Sequence, residues 1–202
     1  MNPHVFLGAL IFACAAIAGL VAAAAICSRV QGYDDGPRAG TPPVLALVAG
    51  AALIGGIAGA HADMARLGLV AFVCGAFAAA WYCDVARGIV PDVFSLGPLA
   101  VIAVLAFAWH DPRMLVSSFI VALPFSAAAL MSRGRGMGWG DVKLAAVAGA
   151  LLGASNALLA LALAAFAAFV NSKLSRETSA QPLAFAPYLI GATALFTAFT
   201  AL

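Results

Sequence analysis

Three aspartates of this chain lie at the edges of long apolar stretches, where a carboxyl group begins to lose its water. Asp84 follows a stretch that ends in Trp-Tyr-Cys, Asp92 follows Pro91, and Asp141 directly precedes another apolar run. The other five acidic residues lie in short polar loops, where they are interpreted as solvated hinge residues: Asp34, Asp35, Asp63, Asp111 and Glu177. Carboxyl chemistry is therefore expected at Asp84 and Asp141.

Two apolar segments separate Asp84 from Asp141, and an even number of membrane crossings returns a chain to the same face. Two carboxyl groups in one partly dry site cannot both ionise easily, so one keeps a proton while the other acts as a base. The base can take a proton from water, and the acid can hydrogen-bond a scissile carbonyl. An anion is favoured at the start of a helix, which makes Asp141 the expected base and Asp84 the expected acid.

Glycines stand at alternate positions before Asp141, in the run GMGWGDVKL of residues 136–144. Glycine lets the backbone turn sharply and lets another chain approach closely, as a peptide laid across two carboxyl groups must. By spacing alone, the run fits a plain helix start after a flexible loop equally well. Gly138 and Gly140 are therefore candidates for supporting the site.

The elements that must position these residues are predicted to be membrane helices. The chain has 202 residues, of which 65% are hydrophobic and 9% are charged, and its mean hydropathy is +1.08. These values are typical of a polytopic membrane protein and predict an all-α transmembrane bundle. Seven apolar segments are visible, at 5–27, 44–60, 67–83, 93–109, 114–131, 142–170 and 183–202.

The number of helical segments depends on the stretch 142–170, which is long for a single crossing of about 20 residues. Gly, Ser and Asn occur in its middle, at 152–156, and predict a break. We therefore expect eight segments, with seven as the alternative. No loop is long enough for a second folded unit, so residues 1–202 are expected to form one integral membrane domain.

The basic residues predict which face of the membrane is cytoplasmic, because Lys and Arg in short loops favour that side. With the amino terminus outside and eight segments, eight basic residues lie inside: Arg29, Arg38, Arg87, Arg133, Arg135, Lys143, Lys173 and Arg176. Arg66 and Arg113 lie outside. With seven segments, six basic residues would lie inside and four outside. The charge distribution thus favours eight segments and places Asp84 and Asp141 at the cytoplasmic face.

Nucleic-acid binding is not expected, since the net charge is only +2 and no basic patch with interleaved aromatic residues occurs. A metal site and a cofactor are not implied either. The three histidines, His4, His61 and His110, are scattered, and no His, Cys and Asp cluster has the spacing of metal ligands.

Two stretches together resemble the active-site motifs of the type IV prepilin peptidases. DVARGIVPDVFSL, at 84–96, is similar to the first motif, and GWGDVKLAAVAGALLG, at 138–153, is similar to the second. PLAFAPYLIG, at 182–191, is similar to the Pro-rich start of the last helix in that family. The resemblance covers about 65–200, so a peptidase core is expected over 65–202, preceded by two N-terminal helices within 1–60.

The resemblance implies an endopeptidase of the bacterial inner (cytoplasmic) membrane that removes the basic leader from prepilins or pseudopilins at the cytoplasmic face. Asp84 and Asp141 would carry the reaction. Lys143 matches the lysine of the second motif. Because it lies two residues from Asp141, it would not face the same way on a helix, and an interfacial role is the simpler interpretation.

The sequence also departs from the family pattern in two places. Val90-Pro91-Asp92 stands where many members have Ile-Pro-Asn or Leu-Pro-Asp. Asp92 is interpreted as a turn residue after Pro91, or otherwise as a contact to a basic leader. Bifunctional members carry a cysteine-bearing domain after their first helix, whereas 28–43 is short and has no cysteine. Peptidase activity without methyltransferase activity is therefore expected.

Two other classes of function remain open from the sequence. A proton-coupled transporter also uses buried acids in a helical bundle, although it would favour acids near the midplane and internal repeats. A non-catalytic assembly protein of a pilus or secretion machine fits if the two aspartates lie too far apart. A presenilin-like protease shares the Gly-x-Gly-Asp motif, but there Tyr would directly precede the first aspartate, which here follows Cys83.

Overall fold

The computed structural model describes residues 3–29, 43–61, 63–131, 138–174 and 185–200. In this part of the chain there are eight α-helices, one 3₁₀ turn at Asp92–Phe94 and no strand. The helices are α1 (Pro3–Cys27), α2 (Val44–Gly59), α3 (Met64–Arg87), α4 (Leu96–Ala108), α5 (Arg113–Met131), α6 (Trp139–Leu152), α7 (Ala154–Leu174) and α8 (Ala186–Phe199). The predicted all-α fold with eight helical segments is confirmed.

The predicted break within 142–170 falls at Gly153. Helix α6 ends at Leu152 and α7 begins at Ala154. Gly153 has φ 76°, in the region that favours glycine, and its N–H donates to the carbonyl of Gly149. A side chain at this position would strain the backbone, so the glycine allows the sharp change of direction between the two helices.

Four helices are long and apolar enough to cross a membrane, namely α1, α3, α5 and α7. Helix α6 has only 14 residues, fewer than the roughly 20 that a crossing needs. Its residues Val142 and Leu144 to Leu152 are all buried, and it contacts α4, α5, α7 and α8. The helix that carries Asp141 is therefore enclosed by the other helices.

Small residues allow the helices to approach closely. A Cβ atom added to Gly19 of α1 would lie 2.0 Å from the carbonyl oxygen of Gly75 on α3, and one added to Gly149 of α6 would lie 2.8 Å from that of Ser117 on α5. Both distances are shorter than any Cβ contact tolerates. In lipid, where apolar burial does not drive association, such close packing is a main source of helix–helix attraction.

Several predicted features lie outside the described residues. They are most of the loop 28–43 with Arg38, the loop with Arg133, Arg135 and Gly136, the loop with Arg176 and Glu177, and the start of the Pro-rich motif at 182–184.

Candidate active site

Asp84 lies within α3, near its end. The sequence predicted that the helix would end before Asp84, at the end of the apolar run, and this is wrong: α3 continues to Arg87. Gly88 ends the helix with φ 68°, and its N–H donates to the carbonyl of Asp84 at 2.8 Å. A glycine directly after a basic residue is a common signal for a helix end, and Arg87-Gly88 is that signal here. Asp84 is therefore held by a regular helical backbone.

The carboxyl group of Asp84 is half-buried, and its environment is unusual. Its Oδ2 atom is shielded from solvent and has no hydrogen-bond partner among the described residues. A buried polar atom without a partner is costly in a folded protein. Such an atom is typical of a position where a proton, a water molecule or a substrate completes the site.

Asp141 lies in the first turn of α6, outside the four helices that can span a membrane. Burial raises the pKa of the Asp141 carboxyl group to about 6, while a hydrogen bond from the backbone of Gly138 acts in the opposite direction. Asp141 therefore starts its helix as predicted. Its acidity is set by partial burial, with one backbone donor that stabilises the anion.

The structure brings Asp84 and Asp141 to the same end of the bundle. Helices α3 and α5 end there, and α4 and α6 begin there. The two carboxyl groups are close enough to repel each other electrostatically. Counting spans in the sequence predicts a common face for these two residues, which are 57 positions apart, and the fold places their carboxyl groups near each other. Two half-buried carboxyl groups in this arrangement are suited to sharing a proton.

Gly140 packs against the connection that follows α3. A Cβ atom at Gly140 would lie 3.1 Å from Cβ and 3.4 Å from Cγ2 of Val90. The sequence suggests that this glycine makes room for a bound peptide. In the structure the residue that approaches it is Val90 of the same protein. Gly140 thus lets the start of α6 lie directly against the segment that links α3 to the 3₁₀ turn, and Val90 is a site neighbour that sequence reasoning missed.

Gly138 is the residue before α6 and has φ −75° and ψ 146°, an extended conformation that any residue can adopt. Its carbonyl accepts the N–H groups of Asp141 and Val142. Its contribution to the site is thus made by the backbone, which both begins the helix and donates to the Asp141 carboxylate.

Pro91 and Asp92 belong to the connection after α3, and Lys143 lies on α6 two residues after Asp141. Pro91 has φ −61°, and its carbonyl accepts the N–H of Phe94, so that the 3₁₀ turn begins at Asp92 as a turn residue. The Nζ atom of Lys143 donates to Oδ1 of Asp92. The sequence placed Lys143 at the interface without a partner, because an ion pair between residues 51 positions apart leaves no local pattern. This pair joins the connection after α3 to α6.

Breaking the Asp92–Lys143 pair is expected to have a small effect, because the Asp92 side chain is 64% exposed and exposed ion pairs contribute about 0–1 kcal/mol. We expect Asp92→Asn and Lys143→Gln each to leave the unfolding temperature within a few degrees of the parent. If the pair positions α6, the double variant will resemble each single variant, as a thermal-unfolding double-mutant cycle in detergent will show. Additive losses would contradict a direct coupling.

The end of helix α1 contacts α3 next to Asp84. Cys27, at the end of α1, and Cys83, next to Asp84, are buried, and their sulfur atoms are in contact, with the Cα atoms 6.2 Å apart. The end of α1 therefore packs directly against the turn of α3 that carries Asp84.

Comparison with known proteins identifies a family that this chain matches. Residues 70–172 match the type IV leader peptidase family, and this match includes Asp84, the Asp92 turn and Asp141. No curated protein and no solved structure matches the chain significantly. The matched region is just over half of the chain and contains both of the motifs on which the resemblance was based. The chain therefore belongs to the type IV leader peptidase family.

Proposed function

We propose that this membrane protein is an aspartic endopeptidase that removes the N-terminal basic leader from prepilin-like or pseudopilin-like substrates. Membership of the type IV leader peptidase family supports a leader peptidase in general terms. The observation that carries the aspartic mechanism is that two half-buried carboxyl groups, those of Asp84 and Asp141, lie near each other at one end of the bundle, with Oδ2 of Asp84 shielded from solvent. A cysteine or serine nucleophile is not needed when two carboxyl groups can activate water.

The environments of the two carboxyl groups support different roles. Asp141 accepts a hydrogen bond from Gly138, which stabilises an anion, so it is assigned as the base that takes a proton from water. Asp84, whose Oδ2 has no donor among the described residues, is assigned as the acid. As the water oxygen bonds to the carbonyl carbon, Asp84 gives its proton to the carbonyl oxygen. Asp141 then passes its proton to the amide nitrogen, the C–N bond breaks, and the diol returns a proton to Asp84 as it becomes a carboxylic acid.

The location of the site suits a substrate that is partly in the membrane. Asp84 is at the end of a helix that can span the bilayer, and the exposed Asp92 carboxylate is paired with Lys143, two residues after Asp141. An apolar substrate helix would lie among the protein's own helices, while its basic leader would remain in water near Asp92. The basic residues of the sequence favour the cytoplasmic side of the inner membrane for this end.

The short connection between α1 and α2 supports a peptidase without methyltransferase activity. It occupies 28–43 and contains no cysteine, whereas the bifunctional pattern has a cysteine-bearing domain at that place. Methylation of the new amino terminus would then depend on another protein.

The proposed function is tested by co-expressing the protein with candidate leader-bearing pilins and detecting loss of the leader as a gel shift. Edman sequencing or mass spectrometry of the product then identifies the cleaved bond. If no leader-bearing substrate is cut while purified protein in liposomes carries a proton flux, the transporter alternative replaces the peptidase.

The pH dependence of cleavage is expected to follow the Asp141 carboxyl group. Its pKa is raised to about 6, so the base becomes protonated as the pH falls through about 6. In this range kcat/KM should decrease about tenfold per pH unit, because the free enzyme loses its base. The measurement is a pH profile of leader cleavage in detergent micelles between pH 4.5 and 8, and a flat profile from pH 5 to 7 would contradict the assignment of Asp141 as the base.

A further inference from the structure

A cavity lies at the end of the bundle opposite the aspartate pair and has no part in the proposed cleavage. It measures about 470 Å³ and lies where α3 and α5 begin and α4 and α6 end. Arg66 lines it from α3, and Asp84 is on the same helix, roughly 27 Å away along the axis at about 1.5 Å per residue. A ligand in this cavity would therefore not touch the carboxyl pair.

The cavity combines charges of both signs. Arg66 and Arg113 line it together with Asp63 and Asp111. Among the described residues, neither arginine forms an ion pair with a carboxylate oxygen within 4.0 Å. The ion pair in that part of the chain joins Lys143 to Asp92, at the other end of the bundle. Asp63 precedes α3, but its side chain makes no capping hydrogen bond. Two basic and two acidic side chains thus line one cavity without direct ion pairs between them.

The loop that carries part of this charge is fixed by hydrogen bonds. Trp109 donates its backbone N–H to the carbonyl of Leu105, and Asp111 donates to that of Ala106. The Oδ1 atom of Asp111 accepts the backbone N–H of Arg113 at 3.1 Å. Because of these bonds, Asp111 and Arg113 are held at the cavity mouth before any ligand arrives, which reduces the entropy cost of binding.

The floor of the cavity is apolar. Leu69, Val70 and Leu151 line it and are buried, while Trp109 lies at its edge and is 37% exposed. An indole ring at the end of an apolar helix is typical of the boundary between hydrocarbon and water. The cavity therefore offers apolar walls next to a charged mouth, as an amphiphile requires.

We propose that this cavity binds a phospholipid whose headgroup carries a phosphate and a primary amine, as in phosphatidylethanolamine. The guanidinium groups of Arg66 and Arg113 receive the phosphate, because planar N–H donors match phosphate oxygens. The carboxylates of Asp63 and Asp111 receive the ammonium group. The acyl chains lie along the apolar floor and the adjacent helix surface. The equal numbers of acidic and basic groups favour a zwitterion over an anionic lipid.

The test uses full-length protein in nanodiscs, with Trp81→Phe and Trp139→Phe leaving Trp109 as the single tryptophan. Brominated-acyl lipids quench a nearby indole, so the Trp109 emission reports occupancy of the cavity. We expect brominated phosphatidylethanolamine, diluted into unbrominated phosphatidylcholine, to quench at about tenfold lower mole fraction than brominated phosphatidylcholine or phosphatidylglycerol. Equal quenching by all three lipids would mean that only bulk lipid reaches Trp109, and the proposal would be wrong.

Variants test separately the arginines that would bind the phosphate and the aspartates that would bind the ammonium group. Arg66→Gln with Arg113→Gln should raise the mole fraction of brominated phosphatidylethanolamine that is needed for quenching, because the phosphate loses its donors. Asp63→Asn with Asp111→Asn should remove the preference over both phosphatidylcholine and phosphatidylglycerol, because the primary ammonium group loses its acceptors. Arg29→Gln is the matched control, because it removes one positive charge at the other end of the bundle, and it should keep the preference. If the double arginine variant fails to insert, the single Arg113→Gln variant must still need a higher mole fraction of brominated phosphatidylethanolamine for quenching. Unchanged quenching in the arginine variants, or an unchanged preference in the aspartate variant, contradicts the proposed site.

Soluble ligands distinguish a lipid site from a site for free anions. O-phosphoethanolamine or inorganic phosphate at millimolar concentration should leave the quenching unchanged, because neither compound occupies the apolar floor. Displacement of the lipid by either compound would overturn the assignment to a phospholipid.

Discussion

Replacement of either aspartate of the pair, Asp84→Asn or Asp141→Asn, is expected to lower kcat for leader cleavage by at least about 100-fold. General acid–base catalysis by a positioned side chain contributes about 10²–10⁴. An amide neither takes a proton from water nor gives one to the scissile carbonyl, so each change removes a step. Cleavage is measured with a purified leader-bearing pilin in detergent, in single-turnover mode so that product release does not mask the chemistry.

Two controls make the loss specific. Because the pair acts as a unit, the double variant should be about as inactive as either single variant, whereas losses that multiply would argue for separate roles. Asp34→Asn, in the predicted polar loop after α1, makes the same chemical change outside the pair and should retain parental activity. Full activity in Asp84→Asn or Asp141→Asn would rule out the aspartic mechanism.

The unfolding temperature shows whether an inactive variant has lost only a catalytic group or also its fold. The pKa of Asp141 is raised from 3.8 to about 6. A raised carboxyl pKa adds stability below pH 4, where the group is protonated in both states, and this stability is lost as the pH rises through about 6. Asparagine has no such charge to bury, so Asp141→Asn should unfold at a higher temperature than the parent at pH 7.5 and at a similar temperature at pH 4. A lower unfolding temperature at pH 7.5 would contradict burial as the main cause of the shift.

The second large effect is expected from Gly140→Val, which should reduce cleavage by about 10- to 100-fold. A Cβ atom at this position already lies 3.1 Å from Cβ of Val90, and the added methyl groups must push α6 away from the connection after α3. A displacement of about 1 Å in a catalytic site can cost 10²-fold in rate, and overpacking commonly destabilises by about 1–3 kcal/mol. The same single-turnover assay measures the loss.

A matched control and a compensating change test this explanation. Gly68 lies on α3, where an added Cβ meets nothing within 4 Å, so Gly68→Val should be close to the parent in activity. Val90→Ala removes the two methyl groups of Val90, which lie 3.4 and 3.9 Å from an added Cβ, but keeps Cβ itself, so it should restore part of the activity in the Gly140→Val background. If it restores none, the loss arises from something other than the contact with Val90.

The sequence alone determined the main features of this protein. The hydropathy and the Gly-Ala-Ser-Asn interruption predicted eight helices and the break near 153, because membrane helices need long apolar runs and glycine interrupts them. Spacing and span counting predicted that Asp84 and Asp141 share one end. The two motifs, in order, predicted the family that the comparison then identified. All of these features are local or follow from counting along the chain.

Only the tertiary structure decided how the ends of the helices meet. The contact of Gly140 with Val90, the pairing of Lys143 with Asp92 and the approach of Cys27 to Cys83 each join residues far apart in sequence. Such contacts depend on the relative rotation and depth of packed helices, and in this chain the apolar pattern is nearly uniform around each helix. The unpartnered Oδ2 of Asp84 and the charged cavity around Arg66 and Arg113 have the same origin, since burial and the absence of a partner are properties of the packed bundle and not of any single segment.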